Sequence, residues 1–334
     1  MATSGNPRRE FLAAGAALAA AALGTPVASA QQAAGSAGSE HWATKRTPQG
    51  DVRLFLWRRR AANASRGTIL WVHGSSVQSQ PSYDLQIPGK PEASVMGWFA
   101  GLGYDNWCLD CEGYGRSDKR RPINADISTG ADDVAAAVDY IHGLSKEKLL
   151  VYGSSSGALR ASLFAQRHPE KVARLALSGM VWTGEGSPTL AERRKRLPQY
   201  LASNRRPINR EFVRSIFTRD RAGSSDPAEV EAFADAVLAL DDSMPTGTYV
   251  DMSANLPVVD PSKITVPVFI LRGEWDGIAT LQDLLNFYAR LPNPDKQFSL
   301  LPGIAHSILR TKNWRMVYEQ LDAYFGRANP VYLG

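Results

Sequence analysis

The residues best suited to covalent chemistry sit in Val151-Tyr152-Gly153-Ser154-Ser155-Ser156-Gly157-Ala158, a G-x-S-x-G pattern centred on Ser155. A serine hydroxyl can attack a carbonyl if a base takes its proton and an acid orients the base. Residues 148–152 read as a short buried strand and residues 158–166 as a helix, so Ser155 is expected on a sharp strand-to-helix turn. Gly153 and Gly157 leave the backbone room, and Ser154 and Ser156 are small enough to fit. Neither of those two can replace Ser155 at the apex. The same turn aims the Ser156 N–H and the positive end of the helix at the hydroxyl.

The chain has five histidines. His41 lies near a polar stretch, His73 precedes Gly74 and shapes that loop, His142 ends a helix, and His168 precedes Pro169 in a connection. His306 follows the last expected strand in Leu301-Pro302-Gly303-Ile304-Ala305-His306-Ser307, where a loop can carry it to the serine. The acid candidate is Asp276 in Leu271-Arg272-Gly273-Glu274-Trp275-Asp276-Gly277. Glu274 competes, but Asp276 lies further out on the loop. The order Ser155, Asp276, His306 differs from the orders of the chymotrypsin and subtilisin lineages.

These loops need a scaffold. Residues 40–46 and 52–59 alternate as a β-hairpin, and residues 68–72 form a continuous apolar run of the kind buried on both faces of a sheet. Further strands are expected at 106–110, 172–177, 266–271 and 297–301, with helices at 95–102, 127–144, 280–291 and 313–325. Alternation of this kind implies a mostly parallel sheet with helices on both faces. Ligands of such sheets sit beyond the carboxyl ends of the strands. Residues 184–259 break the rhythm with charged helical segments and are expected to form an inserted helical cap. The core is then 40–183 and 260–334.

The sequence resembles the α/β-hydrolase fold superfamily, of the capped type, over nearly all of the chain after about residue 40. The resemblance rests on His73-Gly74, Asp110-x-x-Gly113-x-Gly115-x-Ser117, Gly153-x-Ser155-x-Gly157, Gly273-x-x-Asp276 and Gly303-x-x-His306, in that order. It implies an eight-stranded sheet, with Ser155 as nucleophile, His306 as general base and Asp276 as its orienting acid. The implied oxyanion hole is formed by the backbone N–H groups of Ser156 and Ser75, with Ser76 as the alternative to Ser75. The Asp110 loop is implied to be architectural. The loop from Val77 to Pro91 is longer than usual and, with Tyr83 and Asp84, is expected at the site mouth.

The expected reaction is hydrolysis of a carboxylic ester of a small-molecule acyl substrate through an acyl-enzyme. Serine at the elbow argues against relatives with aspartate there, such as haloalkane dehalogenases and epoxide hydrolases. Lactonase, amidase, perhydrolase, C–C bond hydrolase and acyltransferase chemistry stay open on the same triad, as does a non-catalytic binding protein on this scaffold. Met180, Trp182 and Trp275 are expected near the mouth, either as an acyl pocket or as packing between cap and core. No cofactor and no metal are expected: there is no H-E-x-x-H and no Cys/His ligand cluster. Cys108 and Cys111 are expected as buried free thiols on opposite faces of a strand.

The net charge is +5, and no aromatic-interleaved basic motif argues for nucleic acid. Arg193-Arg194-Lys195-Arg196 is read as a solvated helix face. Residues 1–30 look like a twin-arginine export signal: Arg8-Arg9, an Ala/Leu-rich run and Ala28-Ser29-Ala30. That run is too short for a membrane span. The protein is therefore expected outside the cytoplasm, periplasmic or extracellular, with residues 31–39 as a flexible linker.

Overall fold

The computed structural model describes residues 1–2, 37–64 and 66–331. The export-signal expectation falls on residues outside these, apart from the first two, and so does most of the linker. The chain enters a hairpin, β1 (Ser39–Thr47) and β2 (Gly50–Arg60), then β3 (Thr68–Val72) and the short α1 (Ser79–Tyr83). There follow α2 (Val95–Gly101), β4 (Asp105–Leu109), α3 (Ile127–Leu144), β5 (Leu149–Ser154), α4 (Ser156–Arg167) and β6 (Val172–Ser178). A long insertion carries α5 (Pro188–Arg194), α6 (Leu197–Ala202), β7 (Arg205–Pro207), α7 (Arg210–Thr218), α8 (Pro227–Leu238), β8 (Ser243–Pro245) and α9 (Gly247–Val250). The chain then closes with β9 (Val268–Gly273), α10 (Leu281–Arg290), β10 (Lys296–Leu301) and α11 (Trp314–Gly326).

Eight strands form one sheet in the order β1-β2-β4-β3-β5-β6-β9-β10. Only β2 runs against the others. The expected eight-stranded, mostly parallel sheet is thus present. Its central strands are buried on both faces because their side chains alternate between two apolar layers. Leu70, Val72, Val151, Leu175 and Leu177 point into the layer under α3 and α4. Ile69, Trp71, Leu150, Tyr152 and Ala176 point into the layer under α2 and α11. Cys108 and Cys111 are free and buried in opposite layers.

Capping side chains set where several helices begin. Asp126 accepts from the Thr129 N–H at 2.7 Å to start α3. Ser94 does the same for α2 through Gly97 at 2.7 Å, which fixes the returning chain direction after β3. Residues 184–259 carry the five helices α5 to α9 and the two three-residue strands β7 and β8, which form an antiparallel pair. Among the described residues, no helix is long and apolar enough to cross a membrane.

Candidate active site

Ser155 occupies the apex between β5 and α4 with φ 56° and ψ −124°. That backbone region is sparsely populated by residues other than glycine. Its N–H is anchored on Ser178 O at 2.8 Å, and its carbonyl accepts from the Ala158 N–H at 2.9 Å. The flanking glycines are required by close approach rather than by unusual dihedrals. A Cβ on Gly153 would lie 2.4 Å from Gly157 O, and one on Gly157 would lie 2.2 Å from Val72 O. Of the three serines, Ser154 ends β5, Ser155 stands at the turn and Ser156 opens α4. The Ser156 N–H therefore has no intrahelical partner.

Asp276 follows β9 and is buried. Its Oδ1 accepts from the Ile278 N–H at 2.9 Å and faces His306 Nδ1 at 3.0 Å. Burial alone would raise this carboxyl's pKa. The charge and hydrogen bond of His306, the Ile278 N–H and Arg219 outweigh it, so the carboxyl sits below its usual range. The competitor Glu274 is exposed and turned away; its Oε2 accepts from the Gly303 N–H at 2.8 Å and braces the loop that carries His306. Arg272 holds the acid turn by donating to the carbonyls of Gly273, Asp276 and Ala279. The His306 ring rests against Gly179, where a Cβ would come within 2.8 Å of Cε1.

Ser155 and His306 line one cavity of about 90 Å³, with no direct hydrogen bond between them. Gly74, Ser75 and Ser76 form its wall beside Ser155. The loop is fixed from below. Tyr114 donates its hydroxyl to Ser75 O at 3.1 Å, and the buried Arg160 donates to His73 O at 3.1 Å. His73 is fully buried, with Nδ1 2.7 Å from Gly74 O and Nε2 accepting from the Cys111 N–H at 3.0 Å. Burial and the nearby Arg160 charge press its pKa down to about 3, so it is neutral with the proton on Nδ1. The Asp110 carboxylate takes the Ser79 N–H and hydroxyl and the Arg116 N–H, a framework use.

Three pocket expectations need correction. Met180 is fully buried in the core rather than at the cavity. Trp182 is drawn toward α10: its N–H donates to Asp283, its indole N–H donates to Val259 O at 3.1 Å, and its ring meets Phe287 edge-on at 6.1 Å. Trp275 lies under the Arg221 guanidinium at 4.7 Å. The apolar cavity walls come instead from Val77, Ile216, Phe217, Phe233 and Leu309. Of the long loop after His73-Gly74, Tyr83 does reach the cavity, while Asp84 is buried away from it against Trp57 and Arg59.

The insertion also supplies charge that no motif announced. Arg193 and Arg219 line the cavity, and Tyr249 hydrogen-bonds the Ser76 hydroxyl. The expectation that residues 193–196 form a solvated face fails at Arg193. Arg194, Lys195 and Arg196 are exposed, but Arg193 turns inward over the Tyr249 ring at 5.0 Å. Helical periodicity is the signal that separates it from its neighbours, since Arg193 is half-buried on the same face as the buried Leu190, three residues earlier. Asp220 lies behind the triad candidates, with donor atoms of Asp220, Asp276 and His306 all within 4.8 Å of one another. Distance alone would admit a cation there, but His306 Nδ1 is already committed to Asp276, and no metal is assigned.

This geometry belongs to a recognisable class. Solved structures with the same fold include an esterase from Thermogutta terrifontis (TM-score 0.64, 18% identity, 86% of this chain and 99% of that one). A bromoperoxidase from Bacillus anthracis matches with TM-score 0.64 and 14% identity, over 86% of this chain and 100% of that one. The class is the α/β hydrolases. Within it, the family model described as serine aminopeptidase, S33 matches residues 90–313, and the chain belongs to that family. It is also similar to the protein YnbC of Escherichia coli K12, described as uncharacterized, at 22% identity over 295 residues. That match takes in 84% of this chain and 46% of YnbC, so the chain spans about half the length of that relative.

Proposed function

We propose that this protein is a serine hydrolase that cleaves carboxylic esters through Ser155, His306 and Asp276. The observation that carries this reading is the buried 3.0 Å His306–Asp276 contact on the same cavity as the strained Ser155 apex. Asp276 holds the proton on Nδ1 and leaves Nε2 to accept the Ser155 proton. Ser155 then attacks the carbonyl, and the oxyanion is held by the Ser156 N–H and that of Ser75 or Ser76. Such donors are worth ~3 kcal/mol each where one has been removed. His306 protonates the leaving alcohol, and water attacks the acyl-enzyme by the reverse route. Residues 184–259 act as a cap that closes the cavity from above, the remainder of 40–334 being the core.

The family description favours one second reading, removal of an amino-terminal residue from a peptide. Such an enzyme must hold a free ammonium. The cavity has three arginines and no carboxylate among its described lining residues, which weighs against it. We further propose that residues 1–30 direct export, so that the substrate is met outside the cytoplasm; a fusion of this segment to a reporter active only after export would show no signal if that is wrong.

The test of the reaction is hydrolysis of 4-nitrophenyl acetate and 4-nitrophenyl valerate, with alanine 4-nitroanilide alongside. Wild type should hydrolyse an ester, and Ser155→Ala should lose ~10³-fold or more. Preference for the anilide would move the assignment to the peptidase. Equal inertness of wild type and variant, with no fluorophosphonate label on Ser155, would end the hydrolase reading.

A further inference from the structure

The cap faces the nucleophile candidate with positive charge that the described residues neutralise only in part. Arg193, Arg219 and Arg310 line the cavity, and no Asp or Glu does so among the described residues. Arg310 is spoken for: it pairs with Glu229 at 3.0 Å and donates to the carbonyls of Ala93, Pro81 and Ser82. Arg219 pairs loosely with Asp220, at 3.4 Å, and its charge also acts on Asp276. Among the described residues, Arg193 has no acidic partner. Its contacts are the Tyr249 face and the Met252 sulfur at 3.9 Å. Behind it, Arg206 also lies over Tyr249 at 4.5 Å and donates to the Tyr249 hydroxyl at 2.7 Å, again with no carboxylate.

This is not how arginines are treated elsewhere in the same segment. On its outer face, Arg210 and Arg214 share Glu231, at 3.2 and 2.6 Å, and Arg210 also meets Asp235. Acids are therefore at hand in the cap, yet they stand on its solvent side. A half-buried guanidinium beside two others, with no counter-charge, is electrostatically costly unless something supplies one. The cost is visible in its acidity. Burial, then the charges of Arg219 and Arg206, bring the Arg193 pKa down to about 10, against the opposing pull of Tyr249 and Tyr200.

We propose that Arg193, with Arg219 beside it, binds a carboxylate on the substrate, so that the preferred substrates are compact acyl compounds bearing a free carboxylate near the scissile carbonyl. A guanidinium presents paired N–H donors that match the two oxygens of a carboxylate. The cavity of about 90 Å³ also favours a short linker between the two groups. Tyr249 couples this anchor to the reaction centre, since it contacts Arg193 on one side and Ser76 on the other. The proposal rests on the hydrolase reading, which supplies the reaction; the carboxylate site is what it adds.

The experiment compares two esters with the same leaving group and nearly the same length, mono-4-nitrophenyl glutarate and 4-nitrophenyl valerate. They differ in whether the acyl chain ends in a carboxylate or a methyl. Rates are corrected with Ser155→Ala, which removes the glutarate ester's own breakdown. Wild type is expected to prefer the glutarate ester in kcat/KM by at least tenfold, and Arg193→Met to reduce that ratio by tenfold or more. The ratio should also shrink as sodium chloride is raised. A wild-type ratio at or below one, or a ratio that Arg193→Met leaves in place, overturns the proposal. Should that variant fail to fold, wild type alone decides: free glutarate must compete against the valerate ester at least tenfold better than glutaramide, and equal competition refutes the site. Fluorophosphonate labelling of Ser155 reports the nucleophile irrespective of substrate charge. A labelled serine with no carboxylate preference sinks this inference alone. An unlabelled serine sinks the reaction, and calorimetric binding of glutarate then judges the anchor by itself.

Discussion

The two halves of the site are built on opposite principles. On the sheet side the groups that shape the loop beside Ser155 are committed to other parts of the protein. His73 bridges Gly74 and Cys111, Tyr114 holds Ser75, and Arg160 holds the His73 carbonyl. On the side of residues 184–259, Arg193 reaches the cavity with no acidic partner among the described residues, Arg219 has the 3.4 Å contact with Asp220, and Tyr249 links Arg193 to the Ser76 hydroxyl. Committed groups hold a geometry, as acyl transfer needs for a serine and its oxyanion donors. Uncommitted charge holds nothing in place and waits for a partner. The contrast teaches that rigidity and recognition are assigned to different parts of the chain, and each assignment can be broken separately.

The largest effect is expected at the elbow. Gly157→Ala would set a Cβ 2.2 Å from Val72 O and 2.5 Å from His73 O, both backbone atoms that cannot swing away. The turn must open, so ester hydrolysis should vanish, with a stability loss of ~3 kcal/mol or more, read by urea unfolding. A variant that folds and reacts normally would mean that the sheet half is less tightly specified than its hydrogen bonds indicate.

Gly179→Ala probes the same half at one remove. Gly179 has φ 54°, and a Cβ there meets the His306 ring at 2.8 Å. The ring can move where backbone cannot. Stability should fall by only ~1 kcal/mol, while the displaced imidazole should lower the ester rate by ~10²-fold. Parallel unfolding and rate measurements separate the two; a stability loss with no rate loss would detach His306 from the chemistry.

Much of the sheet half was legible in the sequence because local constraints write it. The five motif loops follow strand ends, glycines mark the tight turns, and strand patterns such as Thr68-Ile69-Leu70-Trp71-Val72 are continuous. Glu274 and Asp276 were separable in sequence only by their distance along the loop. The structure shows the physical difference, one bracing Gly303 and the other meeting His306. The cap half was poorly legible. Arg193 sits in a run of four basic residues, and its inward turn depends on where α5 packs. Trp182 was misplaced for a related reason: its position is set by Asp283, about a hundred residues away in sequence, and no local pattern encodes that contact. The burial of Arg160 is likewise a tertiary fact.

His73 gives the sheet half a pH signature. Its pKa is about 3 when folded and about 6.5 in an unfolded chain. The folded state therefore refuses a proton that the unfolded state accepts. Between those values unfolding takes up a proton, so stability present above pH ~6.5 is lost as pH falls toward 3, by up to ~1.4 kcal/mol per pH unit. Protonation would also place an N–H against the Cys111 N–H. Measured by urea unfolding at pH 7 and pH 5, wild type should lose more stability than His73→Gln does. Parallel losses would mean that the ring has access to solvent.

The smallest effect sharpens the comparison most. Arg160 and Arg193 are both arginines over a tyrosine ring, at 5.2 and 5.0 Å, and among the described residues neither is paired with a carboxylate. They differ in what their donors do. Arg160 is fully buried and donates to His73 O and to the Tyr114 hydroxyl, which in turn holds Ser75. Replacing it with methionine strands a buried carbonyl and should cost ~2–3 kcal/mol. Arg193 satisfies no carbonyl, and its charge is opposed by Arg219 and Arg206. Arg193→Met keeps most of the apolar contact and removes that repulsion, so its unfolding free energy should move by less than ~1 kcal/mol, with a gain as acceptable as a loss. Urea unfolding of the two variants side by side reads the difference directly. If Arg193→Met destabilised as much as Arg160→Met, its guanidinium would be part of the framework, and the division between a committed sheet side and an open cap side would fail.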